Sequence, residues 1–139
     1  MNTYSVPVSV KGVVFENDKV WLRKNERDEW ELPGGKLDKG EQPIETVKRE
    51  LNEELGFTIS VVGIVHAYVY TVKHSGGEGE GVLVITYLCK IEEKTQKFET
   101  EGEAGSAQFA SFSQEEIRLL PMPQFYKEAI KNAWEANML

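Results

Sequence analysis

Residues 35–57 read GKLDKGEQPIETVKRELNEELGF, and the helix written into that stretch constrains the fold more than any other feature of the chain. At about 100° per residue, Ile44, Val47, Leu51 and Leu55 fall within one narrow sector and form an apolar stripe. Glu45 and Asn52 point to the opposite side, toward solvent. Glu50, Glu53 and Glu54 occupy a third sector, with all three carboxylates inside roughly 6 Å of rise. The helix therefore has a core face, a solvent face, and an acidic face that belongs to neither. A Pro33-Gly34-Gly35 turn and a lone Glu41 precede it, and Gly56 closes it.

Like charges packed this closely repel by tenths of a kcal/mol per exposed pair. Arg49, four residues before Glu53, offsets part of that repulsion. A hard divalent cation would offset far more. An oxygen-only donor set with no nearby Cys or His suits Mg²⁺ or Mn²⁺ and argues against zinc. Mg²⁺ normally completes its shell with water and substrate phosphates, which points to a phosphate-bearing ligand. The plainer reading is a solvated acidic helix. These acids lie in the last half of the helix, however, where the macrodipole disfavours negative charge.

The stretch resembles the Nudix box, G-x5-E-x7-R-E-U-x-E-E-x-G-U, with U a bulky aliphatic or aromatic residue. Gly35, Glu41, Arg49, Glu50, Leu51, Glu53, Glu54, Gly56 and Phe57 fill every defined position, and Trp30-Glu31-Leu32-Pro33-Gly34-Gly35 resembles the usual lead-in. The resemblance implies a Mg²⁺-dependent pyrophosphohydrolase acting on a small nucleotide, either a nucleoside diphosphate linked to another group or a nucleoside triphosphate. By the same resemblance Glu50, Glu53 and Glu54 are metal ligands, with Gly35 bringing the backbone to the site through a turn that glycine tolerates. Arg49 orients the carboxylates, and Glu41 bonds to Arg49 or to the metal shell. Gly56 ends the helix in the left-handed conformation. Glu50, Glu53 or an acid from the loop around Glu101 and Glu103 is the candidate general base. A further acid in many relatives comes from a later loop, for which Glu101 and Glu103 are the candidates; Ser106 and Phe109 stand where relatives often carry an acid and a tryptophan. A Nudix-fold module that senses a nucleotide without cleaving it is the alternative, although it would not need all of Arg49, Glu50, Glu53 and Glu54.

The rest of the chain reads as a single domain over residues 1–139, with an α/β fold in which a mixed sheet lies between helices. Val6–Phe15 and Lys19–Arg23 are expected strands around a Glu16-Asn17-Asp18 turn, and Ile59–Val72 and Gly81–Ile91 are longer β-branched and aromatic runs. Ser113 and Glu116 make a capping-box pattern for a short helix. Pro123 opens a final helix to about Trp134, with Phe125, Ala129, Ile130, Ala133 and Trp134 at core spacing.

Other residues receive weaker roles. Tyr68 and Tyr70 share a sheet face, and with Trp30 they are candidates to stack on a base. His66 and His74 match no metal spacing. The glycine-rich 76–81 stretch opens no helix and reads as a hairpin connection. Cys89, the only cysteine, belongs to a core strand. A net charge of −7 argues against binding a nucleic-acid polymer, and no signal peptide or membrane span is legible, so a cytoplasmic protein without membrane partners is expected. The small size favours nucleotide-pool sanitisation, and the resemblance implies a monomer or homodimer.

Overall fold

The computed structural model describes residues 2–72, 80–95 and 108–138. Its elements in chain order are strands β1 (Val8–Glu16), β2 (Lys19–Lys24), β3 (Trp30–Glu31) and β4 (Gly34–Lys36), then helix α1 (Pro43–Leu55). Strands β5 (Phe57–Val72), β6 (Glu80–Lys94) and β7 (Gln108–Ser113) follow, with helices α2 (Gln114–Leu119) and α3 (Gln124–Asn137) at the end. The sheet runs β3-β2-β1-β6-β5, with β4 paired to β1 and β7 to β2. It is mixed because β1 and β6 run parallel from Val8↔Leu83 to Val14↔Cys89, whereas the other pairs are antiparallel.

Local chemistry explains the joints. Asn17 and Asp18 both take positive φ, as a two-residue hairpin turn requires, and they set Phe15 opposite Val20. Gly56 caps α1 at φ 71°, its N–H donating to the Asn52 carbonyl at 2.9 Å. Ser113 and Glu116 form the expected reciprocal cap of α2.

Alternation along the strands divides the core in two. On one face Val10, Val14, Tyr87 and Cys89 meet Val47, Leu51 and Leu55 of α1. On the other, Val13, Leu22, Val84 and Leu88 meet Phe125, Tyr126, Ala129 and Ile130 of α3. The Cys89 thiol is pushed up to about 12 by burial, as befits a packing residue. Gly12 makes the α1 face close-fitting, since a Cβ there would press on Leu51, Val47 and Cys89 at 3.0–3.3 Å.

Two expectations need correcting, and two short strands are additions. Ile44, on the apolar stripe by angle, is 44% exposed because the stripe is covered only from Val47 onward. β3 and β4 were not legible as strands. The final helix runs three residues beyond Trp134, and Tyr126 joins its buried face. Among the described residues no helix is long and apolar enough to cross a membrane.

Leu51→Ala is expected to lower stability by about 2–5 kcal/mol and Ile44→Ala by at most about 0.5 kcal/mol. Urea denaturation of the two variants reads this difference, and equal losses would show that the first turn is docked as tightly as the middle of the helix.

Candidate active site

The acidic face of α1 is held at the end of β1 by two glycines with different jobs. β4 lies beside β1 with Gly34 opposite Lys11 and Gly35 opposite Val10. Gly34 has φ 147°, and a Cβ there would run into the Val10 carbonyl oxygen. The conformational demand therefore falls on Gly34. Gly35 is needed for space, because a Cβ on it would overlap the Glu50 carboxylate. Its N-terminal neighbour supplies a second link, in which the Gly34 N–H donates to Glu54 Oε1 at 3.1 Å.

Arg49 organises the remainder. Its Nε donates to Glu41 Oε2 at 2.7 Å and its Nη2 to Glu41 Oε1 at 3.1 Å, a two-point clasp. Nη1 reaches Glu50 Oε2 at 3.0 Å and Glu53 Oε1 at 3.3 Å, and Nη2 lies 3.2 Å from Asp38 Oδ2. Glu41 also accepts from the Thr46 hydroxyl at 2.8 Å and from the Asp38 N–H at 3.2 Å. With Arg49 as the leading cause and Thr46 next, the Glu41 carboxyl is held down at about 2. Arg49 is driven further toward its charged form, chiefly by Glu41.

Glu54 has the opposite environment. Burial is the main cause that pushes its carboxyl up to about 7, and the Glu50 charge adds to the rise. Lys11, the Gly34 N–H and Arg23 act against it. Glu53 is the open member of the set, with a side chain 59% exposed and Arg49 as its contact.

Arg49, Glu50, Glu53 and Glu41 are thus in mutual contact through the guanidinium, with Gly35 against Glu50 and Glu54 one step away at Gly34. Among the described residues no three carboxylates converge on a single point as the side chains stand; Glu50 and Glu53 turn to Arg49, and Glu54 turns to the backbone. The donor chemistry nevertheless fits a hard divalent cation. Every donor is oxygen, the glycine cradle leaves Glu50 beside β4, and the Glu50 charge adds to the cost of ionising Glu54.

The weaker candidates lie elsewhere. Tyr68 stacks on Phe125 of α3 at 4.7 Å and 4°, and Tyr70 tilts against the same ring at 5.1 Å. Trp30 sets its ring edge-on to Phe112 at 4.7 Å, with Lys24 Nζ 5.8 Å from the ring centre. His66 faces Glu128 of α3 at 3.8 Å. Glu101, Glu103, Ser106, His74 and the 76–79 part of the glycine-rich stretch fall outside the described residues. The site also contains residues that motif reading passed over. Asp38 and Thr46 complete the shell of Arg49 and Glu41, and Arg23 binds Glu31 at 2.6 Å. Lys11 is buried on β1, and its signal in the sequence is a lone cation inside the apolar run Val8–Phe15.

The NUDIX domain family matches residues 6–133, and the chain belongs to that family. It is 32% identical over 101 residues to a MutT-like protein of Streptomyces ambofaciens, covering 71% of this chain and 61% of that protein. It is 40% identical over 83 residues to an ADP-ribose pyrophosphatase of Bacillus subtilis (strain 168), covering 60% of this chain and 44% of that one. In each case the match spans less than two thirds of the relative's length. A Nudix hydrolase from Nitrosomonas europaea shares the fold with a TM-score of 0.77 at 22% identity, over 96% of this chain and 90% of its own. Members of the family generally use divalent metal ions.

Gly34→Ala is expected to lower stability by about 3 kcal/mol, through both strain and overlap with backbone. Gly35→Ala should cost about 1 kcal/mol, because only the Glu50 side chain has to move. Chemical denaturation distinguishes the two, and a reversed order would place the backbone demand on Gly35.

Proposed function

We propose that this protein hydrolyses the diphosphate linkage of a nucleoside diphosphate derivative or a nucleoside triphosphate, with Mg²⁺ as its cation and Mn²⁺ as a substitute, in the cytoplasm. The observation that carries this reading is the glycine cradle, which sets Glu50 and Glu54 against β4 while Arg49 restrains Glu50 and Glu53 from the other side. Solvated surface acids need no such scaffold. The ADP-ribose pyrophosphatase relative supports the diphosphate as the reacting group.

When bound, the cation supplies positive charge to the diphosphate oxygens and Lewis acidity toward water. Glu50, Glu54 and Glu53 are the residues that would hold it, with Gly35 supplying close backbone. Arg49, fixed on Glu41, keeps Glu50 and Glu53 from splaying apart before substrate arrives. Glu53 is the accessible carboxylate, so it takes the proton from the attacking water. The water oxygen bonds to one phosphorus, the bridging P–O bond breaks, and the departing phosphate leaves with the electron pair. Positioning and fixed charge supply most of the acceleration.

A phosphate-release screen over nucleotides and nucleotide sugars, run with Mg²⁺ and with EDTA, tests the reading. Metal-dependent release is the expected result, and silence across the panel would overturn the enzyme assignment. On the best substrate, Glu53→Gln should cut turnover at least about a hundredfold. Asn52→Gln, on the solvent side of the same helix, should leave it within about twofold. A fully active Glu53→Gln enzyme would remove Glu53 from the chemistry.

A further inference from the structure

Lys11 is 9% exposed on the central parallel strand, yet among the described residues its ammonium has no hydrogen bond and no ion pair. A largely buried lysine whose ammonium has no protein partner takes its counter-charge from solvent or from a ligand. The other cations around this space are already committed. Arg23 is bonded to Glu31 at 2.6 Å, and Arg49 is shared among Asp38, Glu41, Glu50 and Glu53.

The path of the side chain shows where it leads. Lys11 shares a sheet face with Val13 and Phe15, the α3 face, and its Nζ lies 5.9 Å from the centre of the Tyr126 ring. That is a marginal cation–π separation, too long to compensate for burial. Gly34, its partner on β4, leaves room for the stem, since a Cβ at Gly34 would come within 3.0 Å of Lys11 Cδ. The residue paired with Lys11 on β6 is Thr86, whose hydroxyl is buried and also lacks a partner among the described residues. Gly34 also links Lys11 to the carboxylate cradle, because the same residue that flanks the Lys11 stem donates its N–H to Glu54 Oε1 at 3.1 Å. Among the described residues this cation stands near the acidic cluster without an anion bonded to it.

We propose that Lys11 is the diphosphate-binding cation of this site, meeting a non-bridging phosphate oxygen beside Glu54 as a substrate-binding residue. The inference rests on the diphosphate reading above and adds to it a named contact. A lysine fits the task as a compact point charge on a flexible stem, and the ligand supplies the counter-charge that the fold withholds.

The test compares wild type, Lys11→Met and Lys11→Arg. Affinity for inorganic pyrophosphate in the presence of Mg²⁺ is measured by calorimetry, KM and kcat are measured on the best nucleotide, and melting temperature is measured without ligand. Lys11→Met is expected to bind pyrophosphate at least about tenfold more weakly, with a matching rise in KM. Lys11→Arg, which keeps the charge but not the compact ammonium, should bind pyrophosphate more tightly than Lys11→Met. The ligand-free melting temperature of Lys11→Met should equal or exceed that of wild type, since the substitution keeps the apolar stem and removes a charge with no hydrogen bond or ion pair among the described residues. Should the methionine variant fail to fold, Lys11→Gln carries the same comparison. Pyrophosphate affinity that is unchanged without the lysine charge, or absent in wild type at millimolar ligand, overturns the proposal. A purely structural Lys11 would lower the melting temperature and leave the affinity alone. Silence in the nucleotide screen combined with lysine-dependent pyrophosphate binding would sink hydrolysis and spare Lys11. Normal hydrolysis with unchanged affinity and KM would do the reverse.

Discussion

The close approach of α1 to β1 at Gly12 is the contact on which the remaining geometry depends. With no side chain at that position, Val47 and Leu51 settle directly against the strand and Cys89. The helix axis is thereby brought near enough for Glu50 to touch Gly35 and for Glu54 to reach the Gly34 N–H. Placement of the acids is therefore a consequence of apolar packing. Glu54 by itself would resist this placement, since burial and the nearby Glu50 charge both oppose its ionisation.

Arg49 resolves part of that conflict by geometry as well as charge. Its planar group offers donors along two edges, so the clasp on Glu41 can coexist with bonds to Glu50 and Glu53. A lysine could balance the charge but could not fix three carboxylates at once. Glu41, held in turn by Thr46 and the Asp38 backbone, anchors the arginine to the loop before α1.

Much of this was legible in the sequence because it follows from period and local chemistry. The phase of α1, the Gly56 cap, the Asn17-Asp18 turn and the Ser113 cap each depend on a few neighbouring residues. What escaped was set by tertiary contact. β3 and β4 have two and three residues, too few to display any alternation, and exist because β2 and β1 offer partners. The exposure of Ile44 depends on how far the sheet extends under α1. Gly34 and Gly35 are indistinguishable as letters, and only the facing residues, Val10 and Glu50, separate strain from space. Lys11 could be seen as an oddity in an apolar run, but its lack of a partner needed coordinates.

The division of the core by the sheet has a consequence for how such a protein can change. α1 and its acids rest on one face, while Phe125, Tyr126 and the tyrosines they cover rest on the other. Residues on opposite faces share few neighbours, so substitutions there should combine nearly additively. Variation can accumulate under α3 without disturbing the register of α1 on β1. Apart from the surroundings of Lys11, the scaffold thus separates the part that must stay fixed from the part that is free to drift, and a new ligand preference can evolve without reopening the acidic cradle.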